Sequence, residues 1–79
     1  MAEIRHIRVL VIEDDEFITM AYQDQLSDVT NIEFNLDIYP LMEEGLGALK
    51  KGDYDVLLLD LNLPDSDFKQ TIARIPEIS

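Results

Sequence analysis

Asp55-Val56-Leu57-Leu58-Leu59-Asp60-Leu61-Asn62-Leu63-Pro64-Asp65 is the stretch that decides how this chain folds. Aliphatic residues run without polar alternation from Val56 to Leu59, meet a carboxylate at Asp60, and are broken at Pro64. Such a run suits a strand buried on both faces, as in a parallel sheet covered by helices. Asp60 then stands at the carboxyl end of that strand, where open α/β sheets place their ligands. A carboxylate following four apolar residues is either badly placed for stability or placed for chemistry.

Working outward, Ile7-Arg8-Val9-Leu10-Val11-Ile12 is a β-branched run of strand length that ends in four acids, Glu13 to Glu16. A helix is expected over residues 15–26, with Asp15 as N-cap and Phe17, Ile18, Ala21, Tyr22 and Leu26 at helical spacing. Residues 32–39 alternate, with Ile32, Phe34, Leu36 and Ile38 on one side, which reads as a half-exposed edge strand. Pro40 ends it. A second helix is expected over 41–51, weakened by Gly45 and Gly47 and stopped by Gly52. The decisive strand covers 56–60. A third helix over 68–75 is capped from Asp65-Ser66-Asp67 and stopped by Pro76. The order β-α-β-α-β-α predicts an α/β fold with a parallel three-stranded sheet in the order 2-1-3: two near-continuous apolar strands side by side, the alternating one outside.

Composition narrows the functions. The 79 residues form at most one small domain, and the absence of cysteine excludes disulfides and thiolate metal sites. No apolar run approaches the length of a membrane span, so a soluble, cytoplasmic protein is expected. Seventeen acidic residues against six basic ones give a net charge of −11, which disfavours nucleic acid and anionic lipid as direct partners. His6 is a lone histidine with no partner motif. Met20 and Met42 read as helix-face packing, and Tyr39, Tyr54 and Phe68 need no special role.

If the strands over 7–12 and 56–60 are parallel neighbours, their carboxyl ends coincide and Glu13, Asp14 and Asp60 meet, with Asn62 close by. Two carboxylates about 5 Å apart repel by roughly 3 kcal/mol at an effective dielectric of 20. A cation would relieve that repulsion, and hard oxygen ligands suit Mg²⁺ or Mn²⁺ with sites left for water and a phosphate. Asp60 is the candidate nucleophile for a phosphoryl group. A plainer explanation stays open, in which the four acids cap a helix and Asp60 caps a turn. An EF-hand does not fit, because Pro64, Asp65 and Thr71 occupy positions that need a ligand, a glycine and a bidentate glutamate. An aspartyl phosphatase is weakly supported, since Asn62 stands where a second acid is wanted.

The two motifs together, Val9-Leu10-Val11-Ile12-Glu13-Asp14-Asp15 and Val56-Leu57-Leu58-Leu59-Asp60-Leu61-Asn62-Leu63-Pro64, resemble the receiver domain of two-component response regulators. The resemblance covers essentially the whole chain and implies a flavodoxin-like fold. It makes Asp60 the phosphoacceptor and a metal ligand. Glu13 and Asp14 match the acidic pair that helps hold Mg²⁺, and Asn62 supplies a backbone carbonyl to the same ion. The implied phosphoryl donor is a sensor histidine kinase or phosphotransfer protein, and the implied role is signalling rather than independent enzymatic turnover.

Two departures limit the carry-over. Phe68 stands where receivers usually have glycine, eight residues after the phosphoacceptor. The sequence also ends at Ser79, before the fourth strand should begin, so residues 1–79 are expected to form a truncated receiver lacking strands four and five. The family's switch Ser or Thr and its phosphate-pairing Lys would then be absent, and Lys50, Lys51 and Lys69 cannot take that role. Truncation would expose the strand over 56–60 as a sheet edge, open to a second copy of the chain (a homodimer) or to a C-terminal half. The alternative function is therefore a non-phosphorylated assembly module acting through that edge.

Overall fold

The computed structural model describes residues 3–77; residues 1, 2, 78 and 79, the ends of the expected domain, lie outside the described part. Strand β1 (Arg5–Ile12) is followed by helix α1 (Glu16–Ser27), β2 (Ile32–Tyr39), α2 (Met42–Lys51), β3 (Val56–Leu59) and α3 (Phe68–Arg74). The strands form one parallel sheet in the order β2-β1-β3. Val9 pairs with both Leu36 and Val56, and Ile12 with both Tyr39 and Leu59, so the carboxyl ends of all three strands are level. Among the described residues there is no fourth or fifth strand.

Side chains alternate along β1. Leu10 and Ile12 face α2, where they join Met42, Leu46 and Leu63 in the core, flanked by Tyr39, Leu57 and Leu59. Fully burying one such side chain contributes roughly 1.5–3 kcal/mol. Val9 and Val11 face the other way and are equally buried. On that side Leu26 of α1 shares a hollow with Phe34 and Leu36, and Tyr22 shares another with Leu58.

Several boundaries differ from those expected. β1 starts at Arg5 rather than residue 7, because the Arg5 N–H already reaches the Asn31 carbonyl at 3.0 Å. α1 starts at Glu16, with Asp15 outside it as the N-cap, accepting from the Phe17 N–H at 2.9 Å. Helix α2 starts at Met42, since Leu41 is still extended. β3 ends at Leu59, which leaves Asp60 in the turn. α3 ends at Arg74, and the chain tightens into a 3-10 turn over Ile75–Glu77 that passes through Pro76 instead of stopping before it.

Burial corrects the sequence more strongly. β3 is half-buried and Val56 is 41% exposed, because β3 is an edge with a neighbour only on the β1 side. The expected apolar stripe of α1 is also misplaced: Phe17 is 84% exposed, and Ile18, Met20 and Ala21 are exposed too. Its inward face is Thr19, Tyr22 and Leu26, with the Thr19 hydroxyl donating to the Glu16 carbonyl at 3.0 Å. Of the two methionines assigned to packing, Met42 is fully buried and Met20 is not. Across the sheet, the Tyr54 hydroxyl donates to Asp37 at 2.6 Å and the Arg8 guanidinium lies 4.8 Å from the Tyr54 ring. His6 sits 3.3 Å from Glu33, its exposed neighbour across the β1–β2 ladder.

The two glycines of α2 are not equivalent. A Cβ on Gly45 would stand 2.3 Å from Ile12 Cδ1 and 2.5 Å from Cγ1, whereas one on Gly47 would meet nothing within 4 Å. Gly45 lets α2 approach the end of β1; Gly47 only weakens the helix. Gly45→Ala is expected to cost roughly 1–3 kcal/mol in overpacking, more than it gains in helix propensity, and to lower the urea midpoint. Gly47→Ala is expected to raise it, by roughly 0.5–1 kcal/mol. Equal shifts in the two variants would show that the Gly45–Ile12 contact does not fix the helix.

Candidate functional site

The level strand ends bring the acids together. Beyond β1, the Glu13 N–H donates to the Tyr39 carbonyl at 3.0 Å; beyond β3, the Asp60 N–H donates to the Ile12 carbonyl at 2.9 Å. Both bonds continue the sheet ladders one step, so Glu13 and Asp60 are held by backbone on either side of the same residue, Ile12. Glu13, Asp14 and Asp60 each present a carboxylate oxygen within 4.8 Å of the others. Asn62 lies two residues on, and its N–H donates to Asp60 Oδ1 at 3.0 Å. Beside the acids is a hollow of about 340 Å³ lined by Glu13, Tyr22, Leu58, Leu59, Asp60 and Leu61.

Glu13 is only 6% exposed, whereas Asp14 is exposed. Burial, reinforced by a hydrogen bond to Asp60 and by its negative charge, pushes Glu13 up from 4.5 to about 7. Burial also pushes Asp60 upward, but hydrogen bonds from Glu13 and from the Asn62 N–H outweigh it and hold that carboxyl below its usual range. Of the pair, Glu13 is the group that holds a proton more readily, while Asp60 favours its ionised form. In chemical terms this is a set of hard oxygen donors, one already charged and one able to shed its proton to a competing cation. The donor set fits Mg²⁺, which favours carboxylates and keeps several waters.

The loop after Asp60 contains residues whose part the sequence does not announce. Asp65 was grouped with Ser66 and Asp67 as a cap for α3. That cap is Asp67 alone, in a reciprocal box with Gln70. Asp65 turns the other way, accepting from the Met42 N–H at 2.7 Å and the Glu43 N–H at 3.0 Å. Ser66 and Thr71 are buried with their hydroxyls 2.7 Å apart. Only the missing cap residue ahead of α2, at Leu41, could have signalled that Asp65 was needed there.

A parallel sheet ordered 2-1-3, an acid pair after its central strand and an aspartate after the third are the arrangement of the N-terminal portion of a receiver-like domain, and over that portion the chain is similar to curated response regulators. It is 46% identical over 59 residues to the cell cycle response regulator CtrA of Brucella ovis, and equally to those of Brucella canis and Brucella abortus. The similarity covers 75% of this chain and 24% of each relative, so the chain spans about a quarter of the length of the curated relatives it matches. No protein-family model matches the chain, and no solved structure matches it significantly.

The raised Glu13 value fixes a sign for pH dependence. Folded Glu13 titrates near 7 against 4.5 in the unfolded chain, so its contribution to stability is full below about 4.5 and is lost as pH rises through about 7. Without divalent cations, Glu13→Gln is expected to be more stable than wild type above pH 7, by on the order of 1–3 kcal/mol, with the difference shrinking toward acid pH. Urea unfolding at pH 5 and pH 8 in chelator-treated buffer measures it. A difference independent of pH would mean that Glu13 does not hold the proton.

Proposed function

We propose that this chain is the phosphoacceptor portion of a receiver, taking a phosphoryl group onto Asp60 in a Mg²⁺-dependent step. The observation that carries the proposal is the gathering of Glu13, Asp14 and Asp60 at the carboxyl ends of β1 and β3. Glu13, Asp14, Asp60 and the backbone carbonyl of Asn62 would hold the ion. Bound there, Mg²⁺ supplies the positive charge that offsets the carboxylates and the incoming phosphoryl oxygens.

The chain's own groups do the rest. Asp60 is kept ionised by its hydrogen bonds, so an oxygen lone pair is available without a general base. That oxygen adds to phosphorus as the bond to the donor's leaving atom breaks, and an acyl phosphate results. A cation held there would displace the Glu13 proton, so binding would strengthen as pH rises toward 7. Donors of this kind are a sensor histidine kinase or phosphotransfer protein, and the relatives' name, response regulator, supports such a partner. A cytoplasmic location goes with it; among the described residues no helix is long and apolar enough to cross a membrane.

A second reading is favoured by one observation, the half-buried edge strand β3 with Val56 exposed. Here the module assembles through that edge, with a second copy or a C-terminal half, and phosphorylation plays no part.

Intact mass after incubation with acetyl phosphate and Mg²⁺, with Asp60→Asn in parallel, separates the two. A single phosphoryl group gained by wild type alone is the expected result. No gain from a folded sample would sink the phosphoacceptor proposal and leave the assembly reading. Millimolar Mg²⁺ is likewise expected to raise the melting temperature of wild type and not of Asp14→Asn; equal shifts in both would remove Asp14 from the ion's ligands.

A further inference from the structure

Helix α2 opens without a cap of its own. Leu41 makes no side-chain hydrogen bond to the first turn, and unpartnered N–H groups at a helix start are costly. Asp65 supplies what is missing from a distance of more than twenty residues, one carboxylate oxygen to each of the Met42 and Glu43 N–H groups. The loop that delivers it is tightly braced. Leu63 and Ser66 exchange both backbone hydrogen bonds, at 2.8 and 3.1 Å, closing a turn on Pro64 and Asp65. Leu63 is buried in the core with Met42 and Leu46, and Ser66 is pinned to buried Thr71. Arg74 of α3 pairs with Glu43 in the first turn of α2.

These contacts close a ring. The acid site begins at Ile12 and Glu13, crosses to Asp60, and continues through Asn62 into the braced turn. Asp65 leads from the turn to the start of α2, and Gly45 of α2 returns to Ile12. Between Asn62 and Ser66 the loop is anchored at Leu63, Asp65 and Ser66, which gives a shift of the site a route along it. We infer that Asp65 is a positioning residue that couples the acid site to the first turn of α2, so that a divalent cation bound at Glu13, Asp14 and Asp60 tightens that turn, and loss of the Asp65 contacts weakens the cation. The inference rests on the metal-site reading above. Coupling of this kind is reciprocal: whatever the cation does for the turn, the turn does for the cation.

The control is built into the same loop. Asp67 is also an aspartate that caps a helix, α3, through its reciprocal bonds with Gln70. Mg²⁺ affinity of the 79-residue chain is measured by calorimetry for wild type, Asp65→Ala and Asp67→Ala, with amide exchange of Met42 and Glu43 followed by NMR with and without Mg²⁺. Asp65→Ala is expected to weaken Mg²⁺ by about fivefold or more, and Asp67→Ala by less than about twofold. Mg²⁺ is expected to slow exchange of the two amides in wild type and in Asp67→Ala. Should Asp65→Ala fail to fold, Asp65→Asn keeps one acceptor oxygen and is expected to show a smaller loss in the same direction. Equal Mg²⁺ affinity in the Asp65 and Asp67 variants, or wild-type amides indifferent to Mg²⁺, overturns the coupling while leaving the metal site intact. A folded wild type that binds no Mg²⁺ overturns the metal-site reading, and the coupling with it.

Discussion

Everything in this molecule hangs on β1 having a parallel neighbour on each side. Val9 to Ile12 are buried because β2 and β3 pair with the same four residues while helices cover both faces. Parallel pairing also makes the strand ends level, and the last hydrogen bonds of the two ladders fall on Glu13 and Asp60. The acids are therefore placed by main chain, which is stiffer than any side-chain contact. The backbones of Glu13 and Asp60 cannot separate without breaking the sheet behind them.

That stiffness explains the electrostatic state of the site. Mobile carboxylates would swing apart into water. Held together and partly desolvated, they retain a proton more readily, and the hydrogen bonds that favour ionised Asp60 direct it toward Glu13. Such a cluster could hold a divalent cation in place of that proton. It resembles a pre-formed ligand set more than a cluster of surface acids, which would each be ionised and mutually screened.

Strand order, the joining of Glu13, Asp14 and Asp60, and the Asp15 cap were all legible in the sequence, because each follows from a local pattern: a continuous apolar run, an alternating run, an acid after each strand. What was not legible depends on partners distant in the chain. Val56 to Leu59 looks like a doubly covered strand by its local pattern, and the edge position expected for it came from the resemblance instead. Phe17 and Ile18 fit the helical stripe of α1 as well as Thr19 does, and only the angle of the helix on the sheet chose Thr19. Gly45 reads as a weak point in α2 until Ile12 is placed against it. Asp65 sits among three candidate caps, and no local rule says that it serves the preceding helix instead of the next.

The three helices share a feature with a consequence for ligand choice. α1 starts under Asp15, α2 under Asp65 and α3 under Asp67, each with its carboxylate already on the first-turn N–H groups. A bare helix start is a ready seat for phosphate. Here every such seat is taken by an aspartate, on a chain whose net charge is −11. A phosphate-like anion therefore meets an aspartate, and not a bare helix start, at each of the three.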